Sequence, residues 1–167
     1  MHAAAAAACA CLLGVAACTD ATPEVGDGVA IVIDVIDGDT IDVRIGGREE
    51  RVRLIGVDTP ETRKPNSPIE CYGPEASAFT SALLPVGTRV LIERDTVGRD
   101  DYGRLLGYVH LVDADGRPTT FVNLEIVRTG YATPLSIEPN STFAGDFAAA
   151  ARAAEAADLG LWAACST

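Results

Sequence analysis

Three short β-type segments follow one another between residues 29 and 57, each separated from the next by a glycine turn. The first, VAIVIDVID, is rich in β-branched residues, and the second, TIDVRI, alternates apolar and polar residues as a half-buried strand does. Gly38 and the Gly46-Gly47 pair supply the turns. The third segment, ERVRLIGV, covers residues 50–57. Three consecutive strands of this kind predict an antiparallel meander.

Further strands and helices follow the meander. Hydrophobic periodicity predicts strands over residues 88–93 and 104–112, and helices over residues 72–84, 123–129 and 143–159. Helices after the third and fifth strands are typical of a small closed barrel of OB type. The prediction is therefore an α+β fold, a five-stranded OB-fold β-barrel with about three packed α-helices.

The N-terminal segment, residues 1–18, is apolar and contains no Asp, Glu, Lys or Arg. It is shorter than the ~20 apolar residues that a transmembrane helix needs, and it matches the apolar region of a secretory signal. Its end, VAAC, is similar to the lipobox of bacterial lipoproteins, which predicts lipidation of Cys18. Residues 19–28 then form a flexible tether, and residues 29–165 form one domain.

This segment predicts an exported lipoprotein, anchored in a membrane through Cys18 and facing the periplasm or the exterior. The alternative is an ordinary secretory signal with an incidental Cys18, which would give a secreted protein. In either case the protein is expected to act as a monomer.

The chain has five cysteines, of which Cys9 and Cys11 lie inside the predicted signal. With Cys18 lipidated, Cys71 and Cys165 remain for an oxidising compartment. An even number of cysteines predicts a disulfide between them; the alternative is two unpaired thiols.

Acidic residues outnumber basic ones, 24 against 13, for a formal net charge of −11. This balance argues against a protein that holds nucleic acid by bulk electrostatic attraction. The excess of acidic residues is unevenly distributed, because 10 basic and 10 acidic residues lie between Arg44 and Arg104 and their charges sum to zero. A site for an anion is therefore expected in the middle of the chain.

Three motifs carry candidate chemistry: VIDGDT, RLIGVDTPET and DYGRL. If they converge, their carboxylates could hold a hard cation such as Ca²⁺, which takes oxygen ligands. A further carboxylate could act as a general base, and arginines could clamp a phosphate. Taken singly, such residues are more often helix caps and solvated chain ends.

The motifs VIDGDT, RLIGVDTPET, YGPEASAFT, DYGR and EPNST, in this order, resemble the staphylococcal nuclease family. The resemblance runs from about Val29 to Trp162. It implies an OB-fold barrel with three helices and a calcium-dependent phosphodiesterase that cuts DNA and RNA and leaves 3′-phosphate ends. A non-catalytic nucleic-acid or protein binding module on the same barrel is the alternative.

Residue by residue, the resemblance implies calcium ligation by Asp39, Asp58 and the backbone oxygen of Thr59. Asp37 matches a family aspartate with a supporting role near the metal. The segment YATPLSIE at residues 131–138 departs from the family, because it is about one residue short and lacks nucleotide-contacting tyrosines.

The resemblance also implies three catalytic residues, with Glu61 as general base and Arg53 and Arg104 as phosphate-binding arginines. Contacts to nucleic acid are expected from Arg63, Lys64 and Tyr102.

Overall fold

The computed structural model describes residues 28–63 and 68–165. The predicted signal peptide, Cys18, Lys64 and all of the predicted tether except its last residue lie outside the described residues. The strands are β1 (Val29–Asp37), β2 (Thr40–Ile45), β3 (Arg48–Leu54), β4 (Gly56–Asp58), β5 (Arg89–Glu93), β6 (Leu105–Val112), β7 (Pro118–Phe121) and β8 (Thr133–Leu135). The helices are α1 (Gly73–Leu83), α2 (Val122–Arg128), α3 (Ala144–Ala156) and α4 (Leu161–Ala164).

Five strands close into a barrel in the order β3-β2-β1-β5-β6, and a parallel pairing of β3 with β6 completes the circle. In that pairing Val52 lies opposite Leu105, and Leu54 lies opposite Gly107. The other neighbours in the barrel are antiparallel. The predicted α+β fold with a five-stranded OB barrel is confirmed, and β7 extends the sheet beyond β6.

The third predicted strand is in fact two strands, β3 and β4, and the break lies at Ile55 and Gly56. Gly56 has a φ of +83°, and a Cβ there would collide with the Phe147 ring. A glycine is required at this close approach, and its left-handed backbone turns the chain out of the barrel wall. Strand β4 then pairs with β8, where Asp58 lies opposite Thr133.

Strands β7 and β8 and helix α4 were not predicted from the sequence, and the described residues form four helices rather than about three. The two strands are short, and each contains a proline, which weakens the strand pattern. Helix α4 is a single turn after the break at Gly160. No helix in residues 28–63 and 68–165 is long and apolar enough to cross a membrane.

The core fills the barrel with inward-facing apolar side chains, in the alternation that the strand patterns predict. Val52 and Leu54 of β3 are fully buried, as are Ile41 and Val43 of β2. Tyr108 of β6 and buried residues of α2 and α3 belong to the same core. Burial of each such side chain stabilises the fold by about 1.5–3 kcal/mol.

Cys71 and Cys165 are joined by a disulfide, with their Cα atoms 5.9 Å apart. The bond links the segment before α1 to the residue after α4, across 94 positions of sequence. A cross-link that closes so long a loop stabilises by roughly 4–5 kcal/mol in the chain-entropy description.

Asn123, at the start of α2, is fully buried and ties three parts of the barrel together. Its Oδ1 accepts a hydrogen bond from the Val109 amide at 2.9 Å. Its Nδ2 donates to the carbonyl of Ile55 at 2.8 Å and to that of Gly107 at 3.3 Å. Because Ile55 immediately precedes the kink into β4, Asn123 fixes the direction in which that strand leaves the barrel.

We expect Asn123→Ala to lower the free energy of unfolding by about 2–3 kcal/mol, because it leaves buried amide and carbonyl groups without partners. Urea denaturation measures the change. Thr119→Ala is the control, since its hydroxyl makes an exposed bond to the Leu111 carbonyl, and its loss should cost under about 1 kcal/mol. Similar losses in the two variants would contradict this role for Asn123.

Candidate active site

A cleft of about 330 Å³ opens at the barrel rim, where the β1–β2 turn, β3, the end of β4 and the start of β6 come together. It contains every metal-binding, supporting and catalytic residue that the sequence analysis proposed. The lining residues are Asp37, Asp39, Thr40, Arg53, Asp58, Thr59, Pro60, Glu61, Glu70 and Arg104.

Asp39 is a buried residue of the cleft that accepts several hydrogen bonds, and it lies in the tight turn between β1 and β2. Its Oδ2 accepts hydrogen bonds from the amide of Thr59 at 3.0 Å and from the Thr59 hydroxyl at 3.1 Å. Its Oδ1 accepts from the Thr40 hydroxyl at 3.1 Å. These bonds pin the β1–β2 turn to the chain that follows β4.

The approach of the turn to Thr59 depends on Gly38, where a Cβ would lie 2.6 Å from Thr59 Oγ1. The buried Thr80 hydroxyl of α1 donates to the Gly38 carbonyl at 2.7 Å, so the helix also holds the turn. This role of Thr80 was not predicted from the sequence, where the residue stands out only as a polar side chain on an apolar helical face.

Asp37 stands beside Asp39, and its Oδ1 accepts the Asp39 amide at 3.2 Å. Burial, and then the negative charge of Asp39, raise the pKa of the Asp37 carboxyl. The turn therefore concentrates negative charge in a partly buried place, which favours a positive group in the cleft.

Arg53 supplies such a positive group in this structure. Its Nη2 lies 3.0 Å from Asp39 Oδ2 and 3.2 Å from Asp58 Oδ1. Its Nη1 donates to the carbonyls of Leu54 at 2.6 Å and Val57 at 2.9 Å. The guanidinium is thus held between two carboxylates and the kinked backbone of β3 and β4.

Arg104, which also lines the cleft, is held by Asp100. Its Nε donates to Asp100 Oδ2 at 2.7 Å, while Asp100 Oδ1 accepts the amides of Tyr102 and Arg104 at 3.0 and 2.9 Å. Burial opposes ionisation of Asp100, but the hydrogen bonds from Arg104 outweigh it and lower its pKa. No described residue hydrogen-bonds to either Nη of Arg104, so both nitrogens are available to an anion.

Glu61 follows Pro60 at the cleft and is fixed through one carboxylate oxygen. Its Oε1 accepts the amides of Thr62 at 2.8 Å and Arg63 at 2.7 Å. Within the described ranges nothing hydrogen-bonds to Oε2, which leaves that oxygen free to accept a proton from a water molecule. This combination of a fixed and a free oxygen suits a general base.

Glu70, which the sequence analysis did not single out, also lines the cleft. Its Oε2 accepts the Glu61 amide at 3.0 Å, and its own amide donates to the Glu61 carbonyl at 3.0 Å. Its position in an irregular proline-containing segment gave no periodic signal, so sequence reasoning had no means to find it.

The oxygens in the cleft fit a calcium ion by their chemistry. Asp39 and Asp58 each place a carboxylate oxygen about 3 Å from the same Arg53 nitrogen, so both face one point. Hard cations prefer such carboxylate and carbonyl oxygens. No group of three or more His, Cys, Asp or Glu side chains is placed for a metal ion within residues 28–63 and 68–165. A cation here would therefore need backbone or water oxygens besides the two carboxylates.

Two further clefts adjoin this one. The first contains Arg63 and Tyr102, two of the predicted nucleic-acid contacts, together with Arg51. The second is a groove of about 560 Å³ that runs from Arg53 and Arg104 along apolar side chains. Those apolar side chains include the exposed residues Val97, Tyr102 and Ile137.

The fold and the cleft define an OB-barrel protein whose rim can bind a phosphate group beside paired carboxylates and a free glutamate oxygen. The sequence matches the family described as "Staphylococcal nuclease homologue" over residues 51–164, and the chain belongs to this family.

Individual relatives agree with this assignment. The chain is 42% identical to a thermonuclease of Staphylococcus intermedius over 132 residues, which cover 79% of this chain and 74% of the relative. It is 40% identical to a thermonuclease of Staphylococcus hyicus over 131 residues, 78% of this chain and 73% of the relative. It is 37% identical to endonuclease YncB of Bacillus subtilis (strain 168) over 135 residues, 80% of this chain and 62% of the relative.

We expect Arg53→Met to lower the free energy of unfolding by about 2–3 kcal/mol in a chelator-containing buffer. The variant leaves Asp39 and Asp58 facing each other without the guanidinium between them. Arg44→Met is the matched control, because Arg44 pairs with Glu49 while 53% exposed, and exposed pairs contribute about 0–1 kcal/mol. Equal losses in urea denaturation would rule out a special role for the Arg53 bridge.

Proposed function

We propose that this nuclease is calcium-dependent and hydrolyses the phosphodiester bonds of DNA, of RNA or of both. The observation that carries the proposal is the meeting, in one cleft, of the free Glu61 Oε2, the free Nη atoms of Arg104 and the paired carboxylates of Asp39 and Asp58. Membership of the nuclease family supports it.

Asp39, Asp58 and the backbone oxygen of Thr59 would hold the calcium ion, with Asp37 supporting the negative charge of the turn. The bound ion would supply positive charge that polarises a phosphoryl oxygen and acidifies a neighbouring water. The Asp39 network with Thr59 and Thr40 prepares this part of the site, because hydrogen bonds already fix the carboxylate before anything binds.

Glu61 acts as the general base in the proposed reaction. Its free oxygen takes a proton from a water molecule as the water oxygen forms a bond to phosphorus. The bond from phosphorus to the 5′ oxygen breaks, and the leaving oxygen takes up a proton from solvent. The products are a 3′-phosphate end and a 5′-hydroxyl end, in keeping with the family resemblance.

Arg104 stabilises the negative charge that grows on the phosphoryl oxygens as the water attacks. Asp100 holds the Arg104 Nε, which leaves the two Nη donors to bind a phosphate in the fork geometry that suits it. Arg53 contributes further positive charge, although its donors are shared with Asp39, Asp58 and the backbone.

The groove beside the cleft favours a nucleic acid over a simple phosphate ester. Its apolar side chains, Val97, Tyr102 and Ile137, offer a surface on which a base can lie while its phosphate meets Arg104. Tyr102 is 86% exposed, as a side chain that stacks on a base must be in the free protein.

We further propose that the protein is exported and held at a membrane by a lipid on Cys18. The signal-like composition of residues 1–18 and the VAAC sequence support this location. The disulfide between Cys71 and Cys165 supports an oxidising compartment, where such bonds persist.

We expect Glu61→Gln to lower calcium-dependent cleavage of a DNA oligonucleotide by about 10²–10⁴-fold, because glutamine cannot take up the proton. Wild-type activity should disappear in chelator. Glu49→Gln, which changes an exposed glutamate paired with Arg44, is the matched control and should cleave as the wild type does.

Full activity in chelator, or an active Glu61→Gln variant, would overturn the metal and base assignments. Binding of the oligonucleotide by wild-type protein without cleavage in calcium would instead favour the non-catalytic binding module. End-labelling of the products tests the proposed bond, since 5′-phosphate ends would place the cut on the other side of phosphorus.

We expect Cys18→Ser to release the protein from the membrane fraction of cells that express the full chain in a bacterial host. Serine removes the thiol that carries the lipid and leaves the signal otherwise unchanged. Fractionation followed by immunoblotting measures the shift, with wild type as the reference. Wild-type protein in the soluble exported fraction would show that the signal is an ordinary secretory one.

A further inference from the structure

The disulfide lies at the edge of the candidate active site. Cys71 directly follows Glu70, and both cysteines border a depression that also contains Asp58, Thr59 and Pro60. The bond therefore touches the same stretch of chain that carries a proposed calcium ligand and leads to Glu61.

Glu70 is the link between this disulfide and Glu61. One hydrogen bond runs from the Glu61 amide to the Glu70 carboxylate, and one from the Glu70 amide to the Glu61 carbonyl, each 3.0 Å long. Both backbone polar groups of Glu61 are thus fixed by a single residue. Among the described residues, the carboxylate of Glu61 is held by the amides of Thr62 and Arg63 alone, so its position follows that of its own segment.

Burial does not protect the link, because Glu70 and Cys71 are both exposed. Hydrogen bonds of an exposed carboxylate compete with water and contribute little unless their partners are held in place. Packing supplies part of the restraint, since a Cβ on Gly73 would press on the Thr62 methyl and the Glu61 carbonyl. The Gly73 amide, which donates to the Glu70 carbonyl at 3.1 Å, and the covalent bond at Cys71 add to this restraint.

The other end of the disulfide is firmly anchored. The Cys165 amide donates to the Leu161 carbonyl of α4 at 2.9 Å, and the Leu161 amide donates to the Gly130 carbonyl at 2.8 Å. Gly130 and Gly160 approach so closely that a Cβ on either would collide with the backbone of the other's segment. The bond at Cys71 thus connects Glu70 to the packed helical side of the barrel.

We propose that Glu70 is a positioning residue for Glu61, and that the Cys71–Cys165 disulfide holds Glu70 in place for that purpose. Nuclease turnover then depends on the oxidised bond as well as on the carboxylate of Glu70. The inference rests on the proposed function of Glu61 as general base. A misplacement of about 1 Å in a catalytic group can cost up to 10²-fold in rate, so we expect losses between about 10- and 100-fold.

The first test compares wild type with the Cys71→Ser/Cys165→Ser double variant on a fluorescent single-stranded DNA oligonucleotide in saturating calcium. Circular dichroism fixes a temperature at which both are fully folded. We expect kcat to fall at least about 10-fold in the double variant while KM changes less than about twofold, because the chemical step is affected and not binding. Reduction of the folded wild type should give the same fall, reoxidation should restore it, and the reductant should not alter the double variant.

The second test leaves the disulfide intact and changes Glu70. Glu70→Ala removes the acceptor for the Glu61 amide and should lower kcat, whereas Glu70→Gln retains an oxygen acceptor and should restore most of it. Glu75→Ala is the matched control, since Glu75 is an exposed glutamate in the first turn of α1. Glu70→Ala in the double-serine background should add little, because both changes act through one link.

Unchanged kcat in the folded double variant, or in Glu70→Ala, overturns the inference. Fully additive losses also overturn it, because they would show that the disulfide and Glu70 act independently. A wild-type protein that does not cleave the oligonucleotide at all overturns the proposed function instead. These outcomes are distinguished by the wild-type activity, which is measured first.

Discussion

The parallel pairing of β3 with β6 joins two strands that are distant in sequence and brings the two arginines proposed to bind phosphate to one rim. Arg53 lies opposite Leu106 in this pairing, and Arg104 directly precedes the paired segment. Without it the sheet would remain open, and Arg104 would have no fixed relation to Arg53, Asp39 or the chain that leads to Glu61. The cleft thus depends on barrel closure, which brings the residues of β3 and β6 together. The local turns then position the remaining side chains of the cleft.

Local sequence patterns predicted the barrel well, because strand alternation and glycine turns are short-range signals. They also identified Asp39, Asp58 and Glu61, whose meeting in one cleft follows from the barrel and from the family resemblance. The break between β3 and β4 was missed, since ERVRLIGV reads as one strand and only the Phe147 ring against Gly56 reveals the need for a kink. The roles of residues whose partners are distant in sequence could not be predicted from these local patterns either.

Arg53 is the clearest example of a residue whose contacts could not be predicted from the sequence. An arginine near acidic residues is expected to reach for phosphate, yet here its guanidinium is shared among Asp39, Asp58 and two carbonyls. Other arginines of the middle region are paired in the same manner, with Arg51 on Asp42 and Arg99 on Glu50. Such ion pairs use part of the positive charge of this region, whereas the two Nη atoms of Arg104 have no hydrogen-bond partner among the described residues and remain available to phosphate.

The 94-position separation between Cys71 and Cys165 also limits when the disulfide can form during synthesis of the chain. Strands β5 to β8 and helices α1 to α4 all lie between the two cysteines, so nearly the whole second half of the domain must exist before the bond can close. Because this late cross-link also holds Glu70 in the proposal made above, full nuclease activity would be reached only after an oxidant has formed it.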